Sequence, residues 1–202
     1  YFIWGAWWVT LGAYLNASGF DEIIGATYAT QGYAAILAPL FIGVIADRYF
    51  SAEKVLGVLH LLGAALLFWL STISGSGELI FTAVLLYMIV YMPTLPLSSS
   101  VALNAMIDTE KQFPAVRVLG TVGWIVAGLI VGFLQVEQTT LPILLAALAS
   151  VFAGLFAFAL PNTAPKDDSA GFNWKAIIGF DVLREIRERS FWVFIICSLL
   201  IC

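Results

Sequence analysis

Six apolar runs, at about 1–20, 23–46, 55–75, 79–106, 115–135 and 141–161, dominate this chain, and each is long enough to cross a hydrocarbon core of about 30 Å as α-helix. A β-barrel is excluded because the runs lack the polar alternation of lumen-facing strands. Backbone groups in lipid must find their partners internally, so the runs are predicted to be helices. Composition agrees: 61% of the residues are hydrophobic and 11% charged, whereas soluble domains carry roughly a quarter charged residues. The bilayer is the solvent this chain requires. Neither nucleic-acid binding nor a disulfide framework is indicated, since Cys197 and Cys202 lie five residues apart on different faces of one apolar run.

Charge segregates by side. All nine Lys and Arg residues fall in three polar stretches: Arg48 and Lys54; Lys111 and Arg117; and Lys166, Lys175, Arg184, Arg187 and Arg189. The alternate connections carry only the acids Asp21, Glu22, Glu78 and Glu137. Positive charge is retained on the cytoplasmic side, so the N-terminus and segment 162–190 are expected in the cytoplasm. The chain opens inside an apolar segment and stops about twelve residues into another, which reads as a fragment. The expected organisation is a six-helix bundle over 1–161, a cytoplasmic linker with an amphipathic surface helix over 162–190, and the start of a seventh span over 191–202. Such a layout suits one half of a two-bundle transporter.

Three stretches carry chemistry. The first loop reads GVIADRYFSAEKVL, in which Gly43 permits close helix approach and Asp47, Arg48 and Lys54 supply a charge network able to hold one closed state. An ordinary topogenic loop is the plainer reading. In the fourth run, YMIVYMPTLPLSSS, Pro93 and Pro96 each remove a helix hydrogen bond and predict a bend. Tyr87, Tyr91, Thr94 and Ser98 share one stripe there, suited either to lining a cavity or to interhelical hydrogen bonding. The third stretch is FPAVRVLGTVGW, where Arg117, Thr121 and Trp124 stand at i, i+4 and i+7, with Gly128 and Gly132 continuing their face. A guanidinium, a hydroxyl and an aromatic surface in one row suit a polar ligand with a flat ring. Arg117 as a snorkelling anchor, with Trp124 packed in the bundle, is the competing reading.

FPAVRVLGTVGW resembles the fifth helix of the bacterial nucleoside:proton symporters of the major facilitator superfamily, and WGAWWVTLGAYL, GVIADRYFSAEKV and VYMPTL match that family in order along the chain. The resemblance implies an all-α integral membrane protein, a six-helix N-terminal bundle plus the start of a seventh helix. It further implies that Arg117 and Thr121 hydrogen-bond a nucleoside while Trp124 packs against it, with a proton as coupling ion and no cofactor. Pro96 and the following SSSVALNAM depart from the family pattern, which leaves the substrate choice open among nucleosides, and a sugar or nucleobase as alternatives.

The remaining polar residues are read more plainly. Gln31 and Asn104 are expected at helix contacts, with Gln31 a second candidate for the cavity wall beside Tyr91, Thr94 and Ser98. His60, the single histidine, is read as a hydrogen-bonded structural group, with proton coupling as the alternative. An interfacial belt suits Trp4 and the cavity Trp7 or Trp8, but the sequence leaves the assignment of the three open. With one histidine and no acid in the middle of any complete span, a membrane-embedded enzyme is not expected, and the proton-carrying carboxylate is expected outside this chain.

Overall fold

The computed structural model describes residues 1–48, 50–163, 192, 193 and 197, and of residues 37–48 the backbone alone. Every regular element among them is helical. In order they are α1 (Phe2–Trp7), α2 (Leu11–Ala17), a 3-10 turn (Asp21–Ile23), α3 (Ile24–Arg48), α4 (Ala52–Thr72), α5 (Gly77–Tyr91), α6 (Thr94–Ala105), α7 (Thr109–Leu134) and α8 (Leu141–Ala157). The chain forms two compact units, Tyr1–Lys166 and Asp167–Cys202. Within the second, Trp192, Val193 and Cys197 are helical, and the expected surface helix lies outside the described residues.

Among the described residues, three helical segments are long and apolar enough to cross a membrane: Ala52–Thr72, Gly77–Ala105 and Thr109–Leu134, with Leu141–Ala157 a shorter apolar helix. At 25 residues, α3 has the length as well. Much of the outer surface is apolar, including Leu129, Phe133, Leu148 and Phe152. Bilayer lipid solvates a surface of that kind; water does not.

Two of the six expected spans are broken, for different reasons. The fourth divides into α5 and α6 at Met92–Pro93, where the two prolines predict a bend. Proline has no N–H, so at Pro96 the Met92 carbonyl loses its i+4 donor and accepts instead from Leu95 N–H at 3.3 Å. The first span, expected as one helix, divides into α1 and α2 at Trp8–Thr10, which contains neither Pro nor Gly. The repair is tertiary. The Tyr28 hydroxyl of α3 donates to the Trp8 carbonyl at 3.0 Å and accepts from Gly12 N–H at 2.9 Å, serving a backbone group on each side of the break. Irregular backbone at membrane depth persists where such side chains satisfy it.

Packing between helices follows membrane rules, with small residues at the crossings. The most extensive interface joins α4 and α8, where a Cβ on Gly154 would meet the Gly57 carbonyl oxygen at 3.1 Å. One buried cluster joins α1, α2, α4, α5 and α8 through Trp7, Leu15, Leu67, Tyr87 and Ala146. Another joins α4 to α6 and α8 through Leu56, Leu59, Val101 and Ala157. Beyond α8, Thr163 turns back to the head of α4 and donates both its N–H, at 3.0 Å, and its hydroxyl to the buried Glu53 carboxylate. The end of the unit is thereby tied to the helix that follows the first polar loop.

Candidate functional site

The start of α7 is closed by reciprocal capping. Asp108 accepts from Lys111 N–H at 3.2 Å, while the Gln112 side chain accepts from the N–H groups of Ile107 and Asp108 at 3.1 and 3.2 Å. Asp108 is the N-cap of α7, and it forms an exposed ion pair with Lys111 at 2.9 Å.

Of the membrane-length helices, α7 is the least covered: within this unit only Ala127 and Val131 along it are buried. Arg117 and Thr121 are both exposed, and Trp124 is half-buried. The guanidinium of Arg117 donates to the Tyr1 hydroxyl and lies 5.2 Å from the centre of the Tyr1 ring. Serine and threonine hydroxyls in this protein commonly bond back to a carbonyl of their own helix, as Thr82, Ser98 and Ser99 do. Among the described residues the Thr121 hydroxyl makes no such bond and is left for a ligand or solvent. Beyond it, Gly128 meets open space.

Trp124 is held from behind. Its ring stands edge-on to Trp4 of α1, with centroids 5.2 Å apart at 86°. Trp4 in turn meets Tyr91 of α5 at 6.2 Å, Tyr91 stacks on Tyr87 at 5.3 Å, and Tyr87 meets Trp7 at 5.2 Å. Trp8 and Tyr28 extend the series to α3. Seven rings thus run without interruption from Trp124 to Tyr28. The α1–α7 crossing that allows this is close: a Cβ on Gly5 would stand 3.0 Å from the Trp124 carbonyl oxygen. The ring beside Trp124 is therefore Trp4, while Trp7 and Trp8 are buried in the packing. Sequence reasoning leaves the three tryptophans undecided, because their separation along α1 does not reveal which helix each meets.

The other expected site residues are placed as follows. Tyr91 and Thr94 are buried, Ser98 is half-buried, and the two hydroxyls of Thr94 and Ser98 bond to the carbonyls of Tyr91 and Leu95 within their own segment. Gln31 is half-buried on α3. Gly43, Asp47 and Arg48 lie in the last turns of α3, and their proposed charge network falls outside the described side chains. Lys54 is exposed in the first turn of α4. His60 sits beside Tyr91, ring centroids 6.3 Å apart, with Nδ1 3.5 Å from the Ser150 hydroxyl of α8. Among the described residues no cluster of His, Cys, Asp and Glu is arranged to hold a metal ion.

Comparison with known proteins adds the family. The family model described as nucleoside H+ symporter matches residues 1–202. The chain is 42% identical to the putative nucleoside transporter YegT of Escherichia coli, over 99% of its own length and 48% of that protein. It is 31% identical to the nucleoside permease NupG and 32% identical to the xanthosine permease of the same organism, covering 49% of each. A crystal structure of a NupG variant superposes with a TM-score of 0.84 at 31% identity, over 98% of this chain and 51% of that one. The chain thus spans about half the length of the relatives it matches.

Proposed function

This chain belongs to the nucleoside H+ symporter family, and we propose on that premise that it supplies one half of a transporter that imports nucleosides with protons. The observation that carries the proposal is the open face of α7. There a guanidinium and an unengaged hydroxyl stand exposed, one helical turn apart, with an indole further along the same stripe.

In this reading the unit 1–161 is a six-helix N-terminal bundle of the major facilitator superfamily, 162–190 is the cytoplasmic linker, and 191–202 begins the second bundle. Substrate binds near the midplane between the two bundles, which rock about it to open one side and then the other. Arg117 and Thr121 hydrogen-bond the nucleoside, and Trp124 packs against its ring. Arginine suits this task because its planar fork of donors matches paired acceptors on a base or sugar. Asp47, Arg48 and Lys54 stabilise the cytoplasmic gate around Gly43. The proton is the coupling ion, no cofactor takes part, and the protonated carboxylate belongs to the other half. The basic stretches support a reading in which the N-terminus and the linker lie on the cytoplasmic side of a bacterial inner membrane. This is transport without chemistry on the substrate.

The test is uptake by the complete protein in proteoliposomes. Unlabelled nucleosides should compete with labelled uridine, whereas hexoses and free bases should not. Competition by hexoses alone sinks the nucleoside reading, and binding without flux points to a sensor on the same scaffold. Replacing Arg117 by Ala should weaken nucleoside binding by about 1.5–3 kcal/mol if a charged hydrogen bond is lost. Unchanged affinity at normal expression would return Arg117 to the role of a membrane anchor.

A further inference from the structure

We propose that Tyr1 is a positioning residue for Arg117, holding the guanidinium in the orientation in which it meets the substrate. The inference rests on the reading of Arg117 as a nucleoside ligand and extends it to a residue on another helix. Two contacts converge on the pair: Arg117 donates to the Tyr1 hydroxyl, and its guanidinium carbon lies 5.2 Å from the Tyr1 ring centre. A cation held both by a hydroxyl and by an aromatic ring has a defined place. A third observation shows that the place is built. Tyr1 rests in a notch on α7 one turn beyond Arg117, where a Cβ on Gly120 would come within 2.7 Å of the Tyr1 ring carbon Cδ2. Only glycine at 120 leaves room for the ring to lie where it does.

The physical consequence is preorganisation. Arg117 is exposed, and an exposed arginine samples many rotamers whose freedom is lost when a ligand binds. Tyr1 removes part of that freedom beforehand. It does so from the position next to Phe2 of α1, the helix whose Trp4 stands against Trp124 three residues beyond Tyr1. Tyr1 and Trp4, three positions apart, thus back two of the three proposed substrate contacts on α7. The hydroxyl acts as an acceptor towards Arg117, a role phenylalanine cannot fill, while the ring contact survives that replacement.

The experiment uses the complete transporter and equilibrium binding of uridine. Tyr1→Phe should weaken binding by about three- to tenfold, the size of one net hydrogen bond, with the melting temperature nearly unchanged. In an Arg117→Gln background the same replacement should have no further effect, since Tyr1 acts through the guanidinium. Gly120→Ala, which displaces the ring and leaves both partners present, should reproduce the loss. Wild-type affinity for Tyr1→Phe overturns the proposal, as does an equal loss with and without Arg117. Tighter binding would also overturn it, because the hydroxyl would then be a competitor for Arg117. If Arg117→Gln itself binds uridine normally, the reading of the site falls first, a result separate from any effect of Tyr1.

Discussion

At the scale of single residues, the α7 stripe separates by task. Arg117 and Thr121 are exposed, and Trp124 presents one side while Trp4 occupies the other. Their contributions should therefore differ in kind. Thr121→Val keeps the shape of the side chain and removes the hydroxyl; uridine affinity should fall by about 0.5–1.5 kcal/mol, with folding unaffected. Trp4→Ala should act on both. The indole sits between Trp124 and Tyr91, so its removal leaves a cavity and frees Trp124 to turn. A loss of about 3 kcal/mol or more in stability is expected from thermal denaturation in detergent, together with weaker binding. Weaker binding at full stability would mean that Trp4 touches the substrate itself.

At the scale of elements, the two broken spans test different physics. The α5–α6 break follows from covalent chemistry at Pro93 and Pro96 and is legible in the amino-acid order, because a missing N–H is a local property. The break between α1 and α2 has little local basis beyond the Thr10 hydroxyl, which donates to the Trp7 carbonyl at 3.2 Å. It is held by the Tyr28 hydroxyl, which lies sixteen residues from Gly12 and twenty from Trp8. Tyr28→Phe removes both bonds and leaves the packing against Trp8, so the replacement should cost about 1–3 kcal/mol of stability as the Gly12 N–H loses its partner and the Trp8 carbonyl keeps only the Leu11 N–H at 3.4 Å. Amide exchange at Gly12 should rise in the same variant; unchanged protection there would show that the break is held by something else. The tie from Glu53 to Thr163 belongs to the same scale. In Glu53→Ala the Thr163 amide should exchange faster, because its acceptor has gone.

At the scale of the whole molecule, the proposed function makes the unit Tyr1–Lys166 one wall of the nucleoside site. Its α7 is mostly uncovered, and the proposed contacts stand on that open side. The segment alone should therefore bind nucleosides weakly and transport none, while co-expression with the remaining half of the transporter should restore uptake. Uptake by the segment alone would contradict the two-bundle reading. Within the unit, α7 ends with Gln135 in the left-handed region at φ 53°, an ending normally given to glycine or asparagine.

What the amino-acid order determined without help is whatever depends on neighbours along the chain. Membrane solvation, the run boundaries, the proline break and the common face of Arg117, Thr121 and Trp124 all follow from spacing, hydropathy and covalent geometry. Tertiary structure alone decided which side chains stand behind that face. Tyr1 and Arg117 are separated by 116 positions, and Trp4 meets Trp124 only because Gly5 and Gly120 let α1 and α7 approach. Helical periodicity assigns residues to a face, but it carries no information about which helix that face meets; that choice is made by packing between segments far apart in sequence.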